Sequence, residues 1–143
     1  MRYQGFSLIE LVVVLLVVSV LAVIAIPRLA GTQDFQTLGF FDSTQAAVRY
    51  AQKLAVAQRR PIFVSSSADS LQLCYEPACS STVTDPIRNQ PFVVNAPAGV
   101  SLAGANLSFD GLGRPSAGAT FVVSDSETSR SFVVEQETGY VHS

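Results

Sequence analysis

Hydrophobic and polar positions divide the chain into three patterns. From Phe6 to Ile26 almost every position is apolar, and Glu10 is the one ionisable side chain. At about 1.5 Å rise per residue, a helix of that length covers roughly 30 Å, the hydrocarbon thickness of a bilayer. After Pro27 the pattern becomes amphipathic. Phe41, Val48, Ala51 and Ala55, with Leu38 and Leu54 beside them, recur at three- and four-residue spacing, while Asp42, Arg49, Gln52 and Lys53 fall largely elsewhere. This predicts a helix to about Gln58 with its apolar stripe turned to a sheet. From Ile62 the period shortens, and Ile62–Ser66, Leu71–Tyr75, Pro91–Asn95, Val100–Leu102, Leu107–Phe109, Thr120–Ser124, Ser131–Glu135 and Tyr140–His142 read as short strands between Ser, Gly, Pro, Asn and Asp. A long helix followed only by strands predicts an α+β fold with a mainly antiparallel sheet.

Prolines and glycines punctuate this pattern. Pro27 lacks a backbone N–H and is expected to bend the helix where the apolar run ends. Gly31 and Gly39 each cost about 1 kcal/mol against alanine inside a helix, so the middle of the helix is either its weak stretch or a place of close packing. Arg59-Arg60-Pro61 supplies two cations for the negative end of the helix dipole and a proline that turns the preceding residue away from α. The expected organisation is a leader at 1–5, a membrane or core helix at 6–27, its amphipathic continuation at 28–60 and a β-rich domain at 61–143.

Neither of the usual readings of the apolar run accounts for Glu10. A secretory signal has an apolar core of about 7 to 15 residues and a small-residue cleavage site, and this run is longer with no such site at its end. A plain membrane anchor fits the length, but an ionisable group within a span costs roughly 2.5 to 3.5 kcal/mol at the centre and less towards the ends, and an anchor has no use for one.

Gly5-Phe6-Ser7-Leu8-Ile9-Glu10, after a short leader carrying Arg2 and before an apolar run ending at Pro27, resembles the prepilin signal of type IV pilins and type II secretion pseudopilins. The resemblance implies cleavage by a prepilin peptidase after Gly5 and N-methylation of the new amino terminus on Phe6. It also gives Glu10 a role. In a helix Phe6 and Glu10 stand at i and i+4, so the freed ammonium can pair with the carboxylate within a subunit or, as the family implies, on a neighbour. A carboxylate beside a cation keeps its charge in apolar surroundings, whereas a lone one protonates.

Composition and charge narrow the function further. The 143 residues are 48% hydrophobic and 14% charged, with a net charge of −2. This is one membrane helix plus one small domain, with no general attraction to nucleic acid. Cys74 and Cys79 are the only cysteines. They can close a small loop in an oxidising compartment, worth about 2 kcal/mol on the chain-entropy account, or stay as two thiols. Arg2 precedes the span and Arg28 follows it directly, so the positive-inside rule decides little. The cysteine pair suits an exported domain, expected in the periplasm, and the prepilin resemblance implies a helix held in the bacterial inner membrane before assembly.

The carboxy-terminal half carries Leu107-Ser-Phe-Asp-Gly-Leu-Gly-Arg-Pro115, then Thr120-Phe-Val-Val-Ser124, Ser131-Phe-Val-Val-Glu135 and Thr138-Gly-Tyr-Val141. This spacing resembles the H-type pseudopilins and related minor pilins, and the cysteine pair with the ending Gly-Tyr-Val-His resembles the branch serving mannose-sensitive haemagglutinin pili. The implied partners are other pilin or pseudopilin subunits, the prepilin peptidase and an inner-membrane assembly platform. No cofactor or metal is expected. His142 is the only histidine, and Gly111-Leu-Gly-Arg-Pro-Ser116 approaches GxGxxG but lies between strands instead of opening a helix. An enzyme is therefore not expected. The competing reading is a pilus-tip module binding DNA or a surface ligand. DNA binding needs several cations to engage phosphates, and after Arg114 the chain has Arg130 alone.

Overall fold

The computed structural model describes residues 7–30 and 32–143, with side chains described for 7–22 and from 34 onward. Two helices, α1 (Leu8–Ala30) and α2 (Thr32–Gln58), precede eight strands: β1 (Ile62–Ser66), β2 (Ser70–Cys74), β3 (Val93–Asn95), β4 (Ser101–Ala103), β5 (Leu107–Phe109), β6 (Ala119–Ser124), β7 (Ser129–Val134) and β8 (Val141–His142). The chain forms two compact units, one to Phe35 and one from Gln36 to Ser143. The backbone of α1 continues through position 27, while Gly31 lies outside the described residues.

In the second unit each expected strand is present, within one or two residues at either end. The strands form two four-stranded antiparallel sheets, ordered β3-β2-β1-β5 and β4-β6-β7-β8. Alternation decides which side chains face inward: Ile62 and Val64 on β1, Leu71 and Leu73 on β2, Phe121 and Val123 on β6, and Phe132 and Val134 on β7 are all buried. Both sheets feed one core, which α2 completes with Phe40, Phe41, Ala47, Val48, Ala51 and Ala55. Ala47, Ala51 and Ala55 recur every fourth residue along one face of the helix and are at most 2% exposed. A methyl group at each turn lets the helix backbone lie close to the strands.

Part of the buried stripe on α2 is polar. Thr37 and Thr44 are fully buried, and the Thr44 hydroxyl donates to the Phe40 carbonyl at 2.7 Å, so its oxygen enters the core already bonded. Leu38, expected beside the stripe, is instead 38% exposed, because Phe40 and Phe41 fill the inward positions at this level.

The end of α2 follows a specific cap. Arg59 takes a left-handed φ of 51°, its N–H reaches the Val56 carbonyl, and the Arg60 N–H reaches back to the Ala55 carbonyl at 3.2 Å. This is the paired pattern that closes helices most often with glycine, here built on an arginine, and Pro61 then ends the helix. The Arg60 guanidinium lies 4.1 Å from the Tyr75 ring centroid, which fixes the exit of the chain against the start of the β2–β3 connection.

At Gly39 an added methyl group would meet nothing within 4 Å, so its side of the helix is open and not a packing notch. Replacing Gly39 with alanine is expected to stabilise residues 28–143 by about 0.5–1 kcal/mol through the lost freedom of glycine in the unfolded chain. Thermal unfolding followed by circular dichroism checks this, with a midpoint raised by a few degrees as the expected outcome.

Candidate functional site

The amino-terminal helix has an unusual surface. Every residue from Ser7 to Ala22 is exposed, and the large apolar side chains from Leu8 to Leu21 run from 46% to 81% exposed around the whole circumference. A helix that is apolar all round needs cover from lipid or from other helices. Glu10 lies in its first turn, exposed, and its N–H bonds the Ser7 carbonyl at 3.0 Å. Gly5 and Phe6 lie outside the described residues, as does the side chain of Pro27. Among the described residues no helix is long and apolar enough to cross a membrane. The side chains of the remainder of the apolar run, Val23 to Ile26, lie outside the described residues.

In the domain, Cys74 and Cys79 are joined in a disulfide with Cα atoms 5.1 Å apart. The bond closes a turn in which Tyr75 N–H meets the Ser81 carbonyl at 2.8 Å and Cys79 takes a left-handed φ of 54°. An open groove of about 620 Å³ lies between α2 and the 85–95 segment, floored by the stacked Tyr50 and Phe92 rings at 5.2 Å. It contains one acid, Asp85, whose Oδ1 accepts the Ile87 N–H, and one cation, Arg88. Among the described residues no group of three or more His, Cys, Asp or Glu could hold a metal ion.

Four long-range hydrogen bonds from three α2 side chains fix the helix to the β domain, and the sequence pattern revealed none of them. Gln52 Nε2 donates to the Gly113 carbonyl at 2.9 Å and to the Thr138 carbonyl at 3.0 Å, and Arg49 donates to the Val141 carbonyl at 2.9 Å. The Thr37 hydroxyl donates to Asp125 Oδ2 at 2.5 Å. Asp125 also organises its own turn, where Oδ1 accepts the N–H groups of Glu127 and Thr128 and Oδ2 accepts the Thr128 hydroxyl. The signal for that turn was available locally, since Asp-x-x-Thr between two strands favours a side-chain-capped turn. Its reach to Thr37 was not.

The Thr37 hydroxyl, and then the two backbone N–H groups, hold the Asp125 carboxyl well below the usual carboxylate range. A carboxyl depressed on folding stabilises the fold above its unfolded value, near pH 4, and that stabilisation fades as pH falls below about 4. Asp125→Asn is therefore expected to lower stability at pH 7 and to narrow its gap to the wild-type domain as pH falls towards 2. Urea unfolding at a series of pH values measures the gap, and a gap of constant size would refute the assignment.

The comparisons with known proteins agree with this layout. Residues 1–26 match a model described as the prokaryotic N-terminal methylation motif, and residues 42–138 match a model described as type II transport protein GspH. Over 62 residues the chain is 40% identical to the type IV narrow pilus major component PilA5 of Thermus thermophilus, a stretch covering 43% of this chain. The chain spans about half, 53%, of that relative. Two crystal forms of the Pseudomonas aeruginosa type IV minor pilin FimU share the fold. One, at 19% identity, aligns with a TM-score of 0.58 over 78% of this chain and 90% of its own; the other, at 17% identity, gives 0.54 over 76% and 90%.

These findings do not support a DNA-binding or ligand-binding tip module. Family and fold are those of structural pilins. With a methylation-motif match over residues 1–26 and a GspH match over residues 42–138, more than half of the chain, this chain belongs to the GspH family of type IV pilin-like subunits.

Proposed function

We propose that the chain is made as a prepilin, cut by prepilin peptidase after Gly5, N-methylated on Phe6, and moved from the bacterial inner membrane into the core of a type IV pilus or a type II secretion pseudopilus. The observation that carries this reading is the exposed apolar surface of α1 from Leu8 to Leu21, within the methylation motif. In the membrane, lipid covers that surface; in a filament, the same helices of neighbouring subunits do. The domain from residue 28 onward faces the periplasm and then the outside of the filament, and an inner-membrane platform passes the subunit across.

Glu10 sets the register of this transfer. Once Phe6 becomes the amino terminus, its ammonium lies one helical turn from Glu10, and packing helices side by side brings one subunit's ammonium to another's carboxylate. In apolar surroundings an unpaired carboxylate must protonate or stay buried as a costly charge, so the paired arrangement is favoured. Mass spectrometry of the mature protein is expected to find an amino terminus at N-methylated Phe6. Glu10→Leu is expected to be processed yet to fall by about tenfold or more in sheared filaments, the loss that one uncompensated buried charge implies. An intact leader in a strain whose other pilins are trimmed refutes the reading, and normal assembly of Glu10→Leu refutes the pairing.

A further inference from the structure

The turn from Asp110 to Arg114 resembles a glycine-rich phosphate motif in sequence but is built for another purpose. Asp110 Oδ1 accepts the Leu112 and Arg114 N–H groups at 2.9 and 2.8 Å, which spends the turn's only acid on its own backbone. A methyl group at Gly111 would meet the Arg59 backbone at 3.0 Å, and one at Gly113, where φ is 82°, would meet Val56 at 2.9 Å. Two residues without side chains thus let the turn lie against the last turn of α2, with Leu112 held out at 75% exposure.

Val56, itself 47% exposed, flanks Leu112, and clefts on either side of the pair are bordered by Lys53 and by Arg59. Arg114 is exposed at the end of the turn. Among the described residues none of these three cations forms an ion pair. This end of the domain is an apolar knob among three cations, with an exposed acid, Glu137, next to Thr138 across the Gln52 bonds.

The opposite end of α2 has the complementary character. Leu38 is 38% exposed, and Asp42, one turn further on, is exposed on the same side. Near the start of α2 lies the 125–128 turn that Asp125 fastens to Thr37, with Glu127 exposed on it and the cation Arg130 just beyond. At about 1.5 Å per residue, Leu38 and Arg59 stand roughly 30 Å apart along the helix.

We propose that the two ends meet between copies of this chain: the Leu112 knob of one domain docks against Leu38 of a second, with Lys53, Arg59 and Arg114 facing Asp42 and Glu127. Patches at opposite ends of a rod-like helix make a head-to-tail contact that does not close on itself, the type of contact that propagates a filament. Opposite charges around an apolar contact fix its register and disfavour other pairings. The proposal rests on the filament reading above.

The test uses the full chain in cells that assemble it. Two differently tagged copies carry Leu112→Cys and Leu38→Cys; the native cysteines are bonded to each other, so the new thiols are the free ones. Mild oxidation of sheared filaments is expected to give a mixed-tag dimer, and none from Leu112→Cys copies alone. Arg59→Glu with Arg114→Glu on the first copy is expected to lower the yield about tenfold, and Asp42→Lys with Glu127→Lys on the second to restore it.

A yield that ignores the charges, or a cross-link from Leu112→Cys to a different protein, overturns the inference. Both copies present in filaments without any mixed dimer overturns it and leaves the filament reading standing. Absence of the chain from filaments overturns both.

Discussion

Phe132→Ala is expected to destabilise the domain by about 3–5 kcal/mol, a large share of the roughly 5–15 kcal/mol that holds a domain of this size together. Phe132 is fully buried on β7 and sits opposite Phe121 of β6 in the sheet register. The two rings stack at 5.0 Å, and the edge of Phe41 from α2 meets Phe132 at 5.7 Å with planes 75° apart. The side chain thus joins helix to sheet and strand to strand at one point. Its removal forfeits the transfer energy of the ring and leaves a cavity between elements that cannot approach one another, because the alanines of α2 already set their spacing. Phe132→Leu keeps most of the volume and is expected to cost about 1.5 kcal/mol. The chain has no tryptophan, so urea unfolding of residues 28–143 is followed by far-ultraviolet circular dichroism. A cost for Phe132→Ala below that of Phe132→Leu would show that the core closes around the gap.

The position of Phe132 also marks where the sequence stops being informative. Ser-Phe-Val-Val announces a strand through β-branched and aromatic residues, and so do the other seven segments. Alternation further says which of its residues face inward. It does not say which strand lies alongside. β1 pairs with β2, its neighbour in the chain, and also with β5, some forty positions on, and nothing in the Ile62–Ser66 pattern specifies the second partner. For that reason the pattern predicts an antiparallel sheet without showing that the strands divide into two sheets over a common core. On α2 the limits are chemical. Thr37 and Thr44 are polar and outside the apolar stripe, yet a hydroxyl with a bond partner nearby is buried at little cost, while Leu38, placed beside the stripe, is 38% exposed.

The amino-terminal motif is legible for the opposite reason: Gly5, Phe6 and Glu10 lie within six positions of one another, so the pattern that the methylation-motif model matches over residues 1–26 is local in sequence. Gln52 and Asp125 hold partners 86 and 88 positions away, which no window of sequence joins. Even the near miss to a phosphate loop is intelligible once Arg59 and Val56 are seen behind it: the glycines make room for a helix end and not for a ligand.

Gly139→Ala is the second substitution with a large expected effect, a loss of about 3 kcal/mol, and it gathers several of these constraints at one atom. Gly139 has φ of 68°, where a side chain is strained whatever the space. The space is also taken: an added methyl would lie 2.8 Å from the Gly113 carbonyl, 3.2 Å from the Phe109 ring and 2.5 Å from Gln52 Nε2. Gln52 is a flexible side chain and can withdraw, but doing so gives up both of its bonds to the 113 and 138 carbonyls, at about 1 kcal/mol each. The Gly113 carbonyl is backbone, in a turn pressed against α2, and cannot move aside cheaply. These terms share one cause, so they should not add. With Gln52→Ala already present, its bonds are lost and its bulk is gone, and Gly139→Ala is expected to cost about 1 kcal/mol less than in the wild-type domain. Urea unfolding of the four variants in this cycle gives the coupling directly. A cycle that closes with no coupling would place the whole penalty in the backbone angle and in the contacts with the Gly113 carbonyl and the Phe109 ring.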